Sequence, residues 1–542
     1  MVRISCEGKI YNMADGATPG DLWDEVRGSR RWNEAVLARC GGEVMDFLTP
    51  FDGDTSVTWI SMKEKYAYLA SQRMLTMLLV AAVKELGGMN ADVEVKHSLG
   101  QGLYCEFPGH HTVTHEELAL LEARMKAIAL EKRPLRRITI SKDDAVAVLK
   151  KRGADEEADL LADASFQRFG VYQCGRVTDY YFGPMLPDMG YVPPFRLVPY
   201  APGFLLLFPA PGQTAIAPYK EEPLFARVFL ESERWGALIG CRHVRDLNQA
   251  IRKGQAPELI AAAEALHEKK LAYLADRICR EDPPIRMICI AGPSSAGKTT
   301  FMKRLITQLR VNGVRPVMIS LDDYYRDHRS YKANETVNFE NLSSLDIGLF
   351  EKTMAGLLEG KAVRLPQFDF LTGHRQWDEK EIILPEDQPV LVEGLHGLNP
   401  ELTHFVPGYQ CIHIYLGALT QLSINNHNRI STTDTRLLRR LVRDARTRGN
   451  SAEITLARWD TVRRGEEQNI FYFQDRADVI FNTALIYELP VLKKAARPLL
   501  EAVPRSSMEY AEARRLLQSL EPFAELGTED IPQNSILREF VG

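Results

Sequence analysis

Gly292-Pro293-Ser294-Ser295-Ala296-Gly297-Lys298-Thr299 fits the pattern G-x-x-x-x-G-K-[ST], and Thr300 follows it. The pattern sits between an apolar run, Met287 to Ala291, and a stretch of helical spacing, which is the context in which it binds phosphate. Glycines let the backbone wrap closely, N–H groups at the helix start cradle phosphates, Lys298 reaches the terminal ones and the Thr299 hydroxyl holds Mg²⁺. Gly292, Ser294, Ser295, Ala296, Gly297, Lys298, Thr299 and Thr300 are therefore the expected seat of ATP with Mg²⁺. Asp322 and Asp323 close the run Pro316 to Leu321. That is the carboxyl end of a strand, where open α/β sheets bind ligands. An aspartate there is also a common helix cap, but phosphoryl transfer to an alcohol needs a carboxylate to accept the hydroxyl proton. Glu393 ends the run from Pro389 in the same way and is placed to orient Mg²⁺ through water.

Arg436, Arg439, Arg440, Arg443, Arg446 and Arg448 fall within thirteen residues at spacings of three and four, so several share one helix face. Such a stripe is usually a solvated surface. Here only Asp444 offsets it within the stretch, and arginines over a phosphate site neutralise charge that develops during transfer. His110, His111 and His115 have spacings that a metal could use, yet they lack acidic or cysteine company, which argues against a metal site.

The elements that position these groups follow from periodicity. Met287 to Ala291, Pro316 to Leu321 and Pro389 to Val392 are short apolar runs separated by helical patterns, as in a parallel sheet with helices on both faces. Upstream, Glu258 to Cys279 reads as one amphipathic helix, and Glu281-Asp282-Pro283-Pro284 breaks it. Towards the start of the chain, Val2 to Tyr11 predicts a hairpin turning at Glu7-Gly8, and Thr18-Pro19 starts a helix. Lys65 to Leu86 predicts a helix stopped by Gly87-Gly88. A strand around Leu103 to Phe107 and a helix from Glu116 to Leu130 come next, and the prolines between Pro184 and Pro209 exclude long helices.

At 542 residues the chain exceeds one ordinary domain, and its composition, 45% hydrophobic and 26% charged, is that of a globular protein. No membrane span and no secretory signal are expected, so a cytoplasmic location follows. The eight cysteines form no C-x-x-C pair and read as reduced thiols. A net charge of -5 argues against a globally basic nucleic-acid binder.

The segment from Ile285 to Leu500 resembles the uridine kinase and phosphoribulokinase group. The motifs are the phosphate loop, Ser320-Leu321-Asp322-Asp323-Tyr324-Tyr325, Asn338-Phe339-Glu340, Phe368 to Arg375, Glu393-Gly394, and Arg440-Leu441-Val442-Arg443-Asp444 leading to Arg448-Gly449. The resemblance implies Asp322 as general base, Tyr325 and Phe339 around a nucleoside, Glu340 on its ribose hydroxyls, Phe368 and Phe370 beside its base, and Arg440, Arg443 and Arg448 in a closing lid. Departures gather on the acceptor side. Glu340 stands where those kinases have aspartate, Phe368 where they have tyrosine, Gly373 where they have histidine, Asn450 where they have arginine and Arg458 where they have glutamine.

Residues 1–60 look like a TGS domain, and residues 61–210 look like the editing-type second domain of threonyl-tRNA synthetases, through Gly102 to Phe107 and Asp179 to Pro184. The H-x-x-x-H and C-x-x-x-H pairs of that editing site are replaced by Arg73 and Met77, then Tyr181 and Met185. Metal and nucleophile are thus absent, and this half is expected to act by binding. The expected architecture is α/β: a β-grasp TGS-like module (1–60), a degenerate α+β editing-like domain (61–210), a helical linker (211–283), a P-loop kinase domain (284–500) and an extension (501–542). The first reading is an ATP-dependent nucleoside kinase, uridine or cytidine first, forming a homo-oligomer. The second is an RNA-binding or regulatory protein that uses the phosphate loop as a nucleotide switch. RNA or a regulatory ligand is the expected partner of the first 210 residues.

Overall fold

In the computed structural model, which describes residues 1–28, 35–109, 112–151, 155–163, 168–327, 341–369, 372–420 and 422–542, the chain folds into two units. Neither is continuous in sequence. The first comprises Met1–Arg252, Gln421–Ile430 and Arg497–Glu525, and the second comprises Lys253–Thr420, Ser431–Ala496 and Leu526–Gly542.

The first unit opens with a five-stranded mixed sheet in the order Lys9–Met13, Val2–Cys6, Thr55–Ile60, Leu37–Cys40, Glu43–Met45. Val2–Cys6 and Lys9–Met13 form the expected hairpin, and Val2–Cys6 runs parallel to Thr55–Ile60. Helix Pro19–Arg27 starts on a capping box between Thr18 and Asp21 and buries Leu22 and Trp23. This is a β-grasp arrangement. A four-stranded antiparallel sheet follows in the order Arg196–Tyr200, Gly203–Leu207, Gly102–Glu106, Glu94–Leu99, with a separate three-stranded sheet built from Leu135–Ser141, Arg168–Cys174 and Val177–Tyr180. Helices Lys65–Gly87 and His115–Leu130 supply much of the core. The first of these is long and apolar enough to cross a membrane, against the expectation that no such run exists. However, 78% of its apolar window is buried in the fold, as in a core helix.

The second unit holds a five-stranded sheet in the order Val317–Ser320, Val390–Glu393, Met287–Ala291, Cys411–Gly417, Val479–Asn482, parallel throughout. All five residues of the central strand are buried, because strands flank it on both sides and helices cover both faces. The two-residue period sorts its side chains. Ile288 and Ile290 pack with Phe301, Leu305 and Leu309 of the helix Lys298–Val311 and with Leu271, Leu274 and Ile278 of the helix Ala256–Arg280. Met287 and Cys289 face Phe350, Met354 and Leu357 of the helix Ile347–Leu358. Helix Ala256–Arg280, expected in a linker, is therefore part of this core. Its Glu264 and Glu268 carboxylates accept from the Arg304 guanidinium at 3.2 and 2.9 Å.

Candidate active site

The phosphate loop turns out of the central strand with two left-handed residues, Ser295 at φ 60° and Gly297 at φ 85°. Gly292 is required by proximity, since a Cβ there would stand 2.6 Å from the Leu416 carbonyl oxygen. The Ser295 hydroxyl is buried without a hydrogen-bond partner, the condition of a polar group shaped for a ligand. Lys298 folds back on the loop, donating from Nζ to the Gly292 carbonyl at 2.9 Å. Thr299 is exposed on the first turn of the helix. Left-handed turn, orphan hydroxyl, exposed threonine and loop lysine together suit a nucleotide triphosphate with Mg²⁺.

Asp322 lies in a short 3-10 turn, Leu321–Tyr324, at the carboxyl end of its strand, as expected. Its side chain meets solvent and is also crowded by surrounding protein. Desolvation raises its pKa, and the charges of Lys298 and Arg448 pull the other way. The pKa of Glu393 is likewise raised by desolvation, against Lys298, with Asp322, a hydrogen bond from Ser320 and Glu539 also acting on it. The Ser320 hydroxyl donates to Glu393 Oε1 at 3.1 Å. Asp322, Glu393, Lys298 and Arg448 thus form one electrostatic group at one end of the sheet.

On the acceptor side, Asp323 accepts from the Phe368 N–H at 3.2 Å, so the second aspartate anchors the hairpin Val363–Asp369/His374–Ile382. Tyr325 and Phe368 meet edge to face at 5.7 Å and are both buried. His374 Nδ1 lies 3.0 Å from Asp327 Oδ1, and Arg375 donates to Asp346 at 3.0 Å and to the Tyr325 carbonyl at 2.7 Å. Phe339, Glu340 and Phe370 lie outside the described residues, as do His110 and His111.

The arginine stripe is one helix, Thr432–Arg448, but it divides into three jobs. Arg436 and Arg439 are fully buried. Arg436 pairs with Glu466, rests over Trp459 and donates to the Ser294 carbonyl at 3.0 Å. Arg439 pairs with Glu488 at 2.7 Å and donates to the Ser295 carbonyl at 3.3 Å. Glu466 also accepts the Ser294 N–H at 2.8 Å. These two arginines brace the phosphate loop from behind. Arg440, Arg443 and Arg448 gather on the buried carboxylate of Asp444, and Arg440 also donates to Ser294 Oγ at 2.7 Å. Arg446 holds residues 539–540. The expectation that only Asp444 offsets the stripe is corrected here: Glu466 and Glu488 neutralise it from other helices.

Elsewhere on this sheet, Cys289, Cys411 and His413 cluster near the strand starts. His413 uses Nδ1 towards Asp478 and Nε2 towards the Cys411 thiol, so these groups satisfy one another.

In the first unit, Met77, Tyr181 and Met185 are buried in the apolar core and Arg73 donates twice to the Pro184 carbonyl. Residues 422–430 sit beside them. His427 lies between Asp179 at 2.6 Å and Asp92 at 2.9 Å, Asn425 donates to the Tyr180 hydroxyl, and Arg429 donates to Gln72. Sequence reading missed this insertion, for which no local signal exists.

Residues 287–486 match the sequence model of the phosphoribulokinase / uridine kinase family. The other end of the chain is similar to threonine–tRNA ligases: that of Syntrophotalea carbinolica is 26% identical over 201 residues, covering 36% of this chain and 31% of the ligase. That of Pelobacter propionicus is 28% identical over 192 residues, covering 35% and 30%. The chain thus spans less than a third of the length of these curated relatives. Solved structures similar to it include a possible uridine kinase from Bacillus stearothermophilus, with 20% identity, a TM-score of 0.26, and coverage of 40% of this chain and 98% of that one. D-glycerate 3-kinase from Cryptococcus neoformans gives 14%, 0.24, 47% and 88%.

Proposed function

Because residues 287–486 match the phosphoribulokinase / uridine kinase family model, we propose that the protein transfers the γ-phosphoryl group of ATP to the 5′-hydroxyl of a nucleoside, uridine or cytidine first. The observation that carries this reading is Asp322 at the strand end, within electrostatic reach of Lys298. A nucleotide switch needs loops that sense the γ-phosphate but no carboxylate to take a proton from an alcohol.

In the proposed reaction Asp322 accepts the hydroxyl proton as the acceptor oxygen bonds to the γ-phosphorus and the bond to the ADP oxygen breaks. Lys298 and the loop N–H groups hold the phosphates, while Arg440, Arg443 and Arg448 offset charge on the transferred group. Mg²⁺, on Thr299 and oriented through water by Glu393, would neutralise charge on the β- and γ-oxygens. Tyr325 and Phe368, with Phe339, Glu340 and Phe370, would form the acceptor side.

The His374 contact with Asp327 supports a replacement for the base-edge histidine that Gly373 lacks, because the carboxylate fixes one ring nitrogen and leaves the other for a substrate. For the first 210 residues we keep an RNA or regulatory ligand, and a homo-oligomer, as part of the proposal. Such a ligand would have to bind away from residues 425–429 or displace them. Incubating the protein with Mg-ATP and each ribonucleoside, and separately with glycerate and sugars, tests the reading by mass of the products. Phosphorylation of a non-nucleoside alone would overturn the acceptor assignment.

A further inference from the structure

Thr300 is the third residue of the phosphate-loop helix, and its two donors point at one acceptor. Its N–H and its hydroxyl both donate to Glu539 Oε2, at 3.1 and 2.9 Å. The N–H groups at this turn are those the loop offers to nucleotide phosphates. Glu539 belongs to residues 526–542, which are part of the second unit. A Cβ on Gly297 would meet Ile536 Cγ2 at 2.5 Å, so the segment also touches the loop's left-handed glycine.

The segment is built rather than draped. Leu526 donates its N–H to the Pro490 carbonyl at 3.3 Å, and Ser535 Oγ lies 3.3 Å from the Tyr487 hydroxyl. Arg538 donates to the Thr528 and Ile531 carbonyls at 2.9 and 2.6 Å, which folds the segment on itself. Arg446 donates to the Phe540 carbonyl at 3.2 Å and to the Glu539 carbonyl at 3.1 Å, and the Arg439 guanidinium lies 5.0 Å from the centre of the buried Phe540 ring. Two arginines of the stripe therefore grip the strap that carries Glu539. The Glu539 charge is felt across the site, where it helps raise the pKa of Glu393 after the larger effect of burial.

We propose that Glu539 is an intramolecular stand-in for a nucleotide phosphate, and that residues 526–542 form an autoinhibitory strap that must leave Thr300 when nucleotide binds. The inference rests on the reading of Gly292 to Thr300 as a nucleotide site. A carboxylate oxygen and a phosphate oxygen cannot share the same two donors, and two anions at one helix start repel each other. Apparent affinity is then reduced by the fraction of molecules in which the strap is closed.

Equilibrium binding of Mg-ADP to the full chain, with no acceptor present, tests this. E539Q keeps size and hydrogen bonding but loses charge, and is expected to bind ADP roughly threefold tighter; E539A is expected to bind about tenfold tighter. Amide exchange on the unaltered protein gives a second reading that needs no variant. Added ADP should speed exchange in residues 536–541. Unchanged or weaker ADP binding by both variants, or slowed exchange, would overturn the strap and make Glu539 a cap or a wall of the nucleotide site. ADP binding by none of the proteins, the unaltered one included, would overturn the nucleotide reading and the strap with it.

Discussion

Asp322 combines an open path to solvent with enough surrounding protein that burial lifts its carboxyl above the usual range, while Lys298 and Arg448 limit the rise. Transfer should rise with pH as Asp322 loses its proton, along a limb displaced upward from an ordinary aspartate. Asp322→Asn should slow transfer by roughly 10² to 10⁴ and flatten that limb, with ADP affinity nearly intact. Lys298→Ala should weaken both. A pH series of single-turnover rates checks the assignment, and near-normal turnover in Asp322→Asn would remove it. On the acceptor side, Phe368 without a hydroxyl and Gly373 without a side chain predict weak discrimination among bases. Uridine and cytidine efficiencies should fall within about 10²-fold of the best purine nucleoside, against the 10⁴ or more of a site built on hydrogen bonds. Rates with all four ribonucleosides decide it. Among these residues the sequence located Asp322 at a strand end and Lys298 at the close of a glycine loop, because both are local patterns. It was silent on Asp323 as a hairpin anchor, since its partner is the N–H of Phe368, 45 residues away.

Helix Thr432–Arg448 shows how one periodic stripe carries different forces along its length. Its buried end, Arg436 and Arg439, is held by Glu466 and Glu488 and braces the loop carbonyls of Ser294 and Ser295. Its other end crowds three guanidinium groups onto Asp444. Removing one partner of a buried pair leaves an uncompensated charge, so Arg436→Ala should cost about 3 to 5 kcal/mol of stability. Replacing Arg436 and Glu466 together with apolar side chains of similar volume should recover much of that loss while still impairing ADP binding, because Glu466 also holds the Ser294 N–H. Urea unfolding beside ADP titration separates the two effects. If the double replacement bound ADP normally, the bracing role would be lost. Helical spacing revealed the stripe and Asp444 within it; Glu466 and Glu488, which hold its buried end, lie on other elements and carry no periodic trace.

Within the first unit, residues 422–430 contribute an ion triad of His427 with Asp92 and Asp179. Burial alone would lower the imidazole pKa, but the two carboxylates more than reverse it, to about 10, and Asp92 is held down at about 2 despite its own burial. The signs set a window. A raised histidine stabilises fully below its unfolded value near 6.5 and loses that contribution as pH climbs towards 10. A depressed aspartate stabilises fully above its unfolded value and loses it as pH falls towards 2. The stability difference between the unaltered protein and His427→Ala should therefore peak near pH 5 to 6, at roughly 3 to 5 kcal/mol, and shrink by about 1 kcal/mol per pH unit through the alkaline range. Unfolding of both proteins at pH 5.5, 7.5 and 9.5 measures it, and a difference that grew with pH would contradict the triad.

What the sequence determined by itself was whatever repeats or turns within a few residues: the phosphate loop, the apolar strands at Met287, Val317 and Val390, the Thr18 cap and the Gly87-Gly88 stop. It also carried the expectation that Arg73, Met77, Tyr181 and Met185 hold no metal, because the type of a side chain can be read without the fold. Tertiary structure alone decided the rest. It tied residues 425–429 to Gln72, Asp92, Asp179 and Tyr180, drew the helix Ala256–Arg280 into the core of the second unit, and seated Glu539 on Thr300 from 239 residues away. The physical reason is that ion pairs and hydrogen bonds are set by distance in space. A carboxylate leaves the same mark in a sequence whether it ends in water or on a guanidinium, and only the folded chain, by removing the water, forces it to a partner.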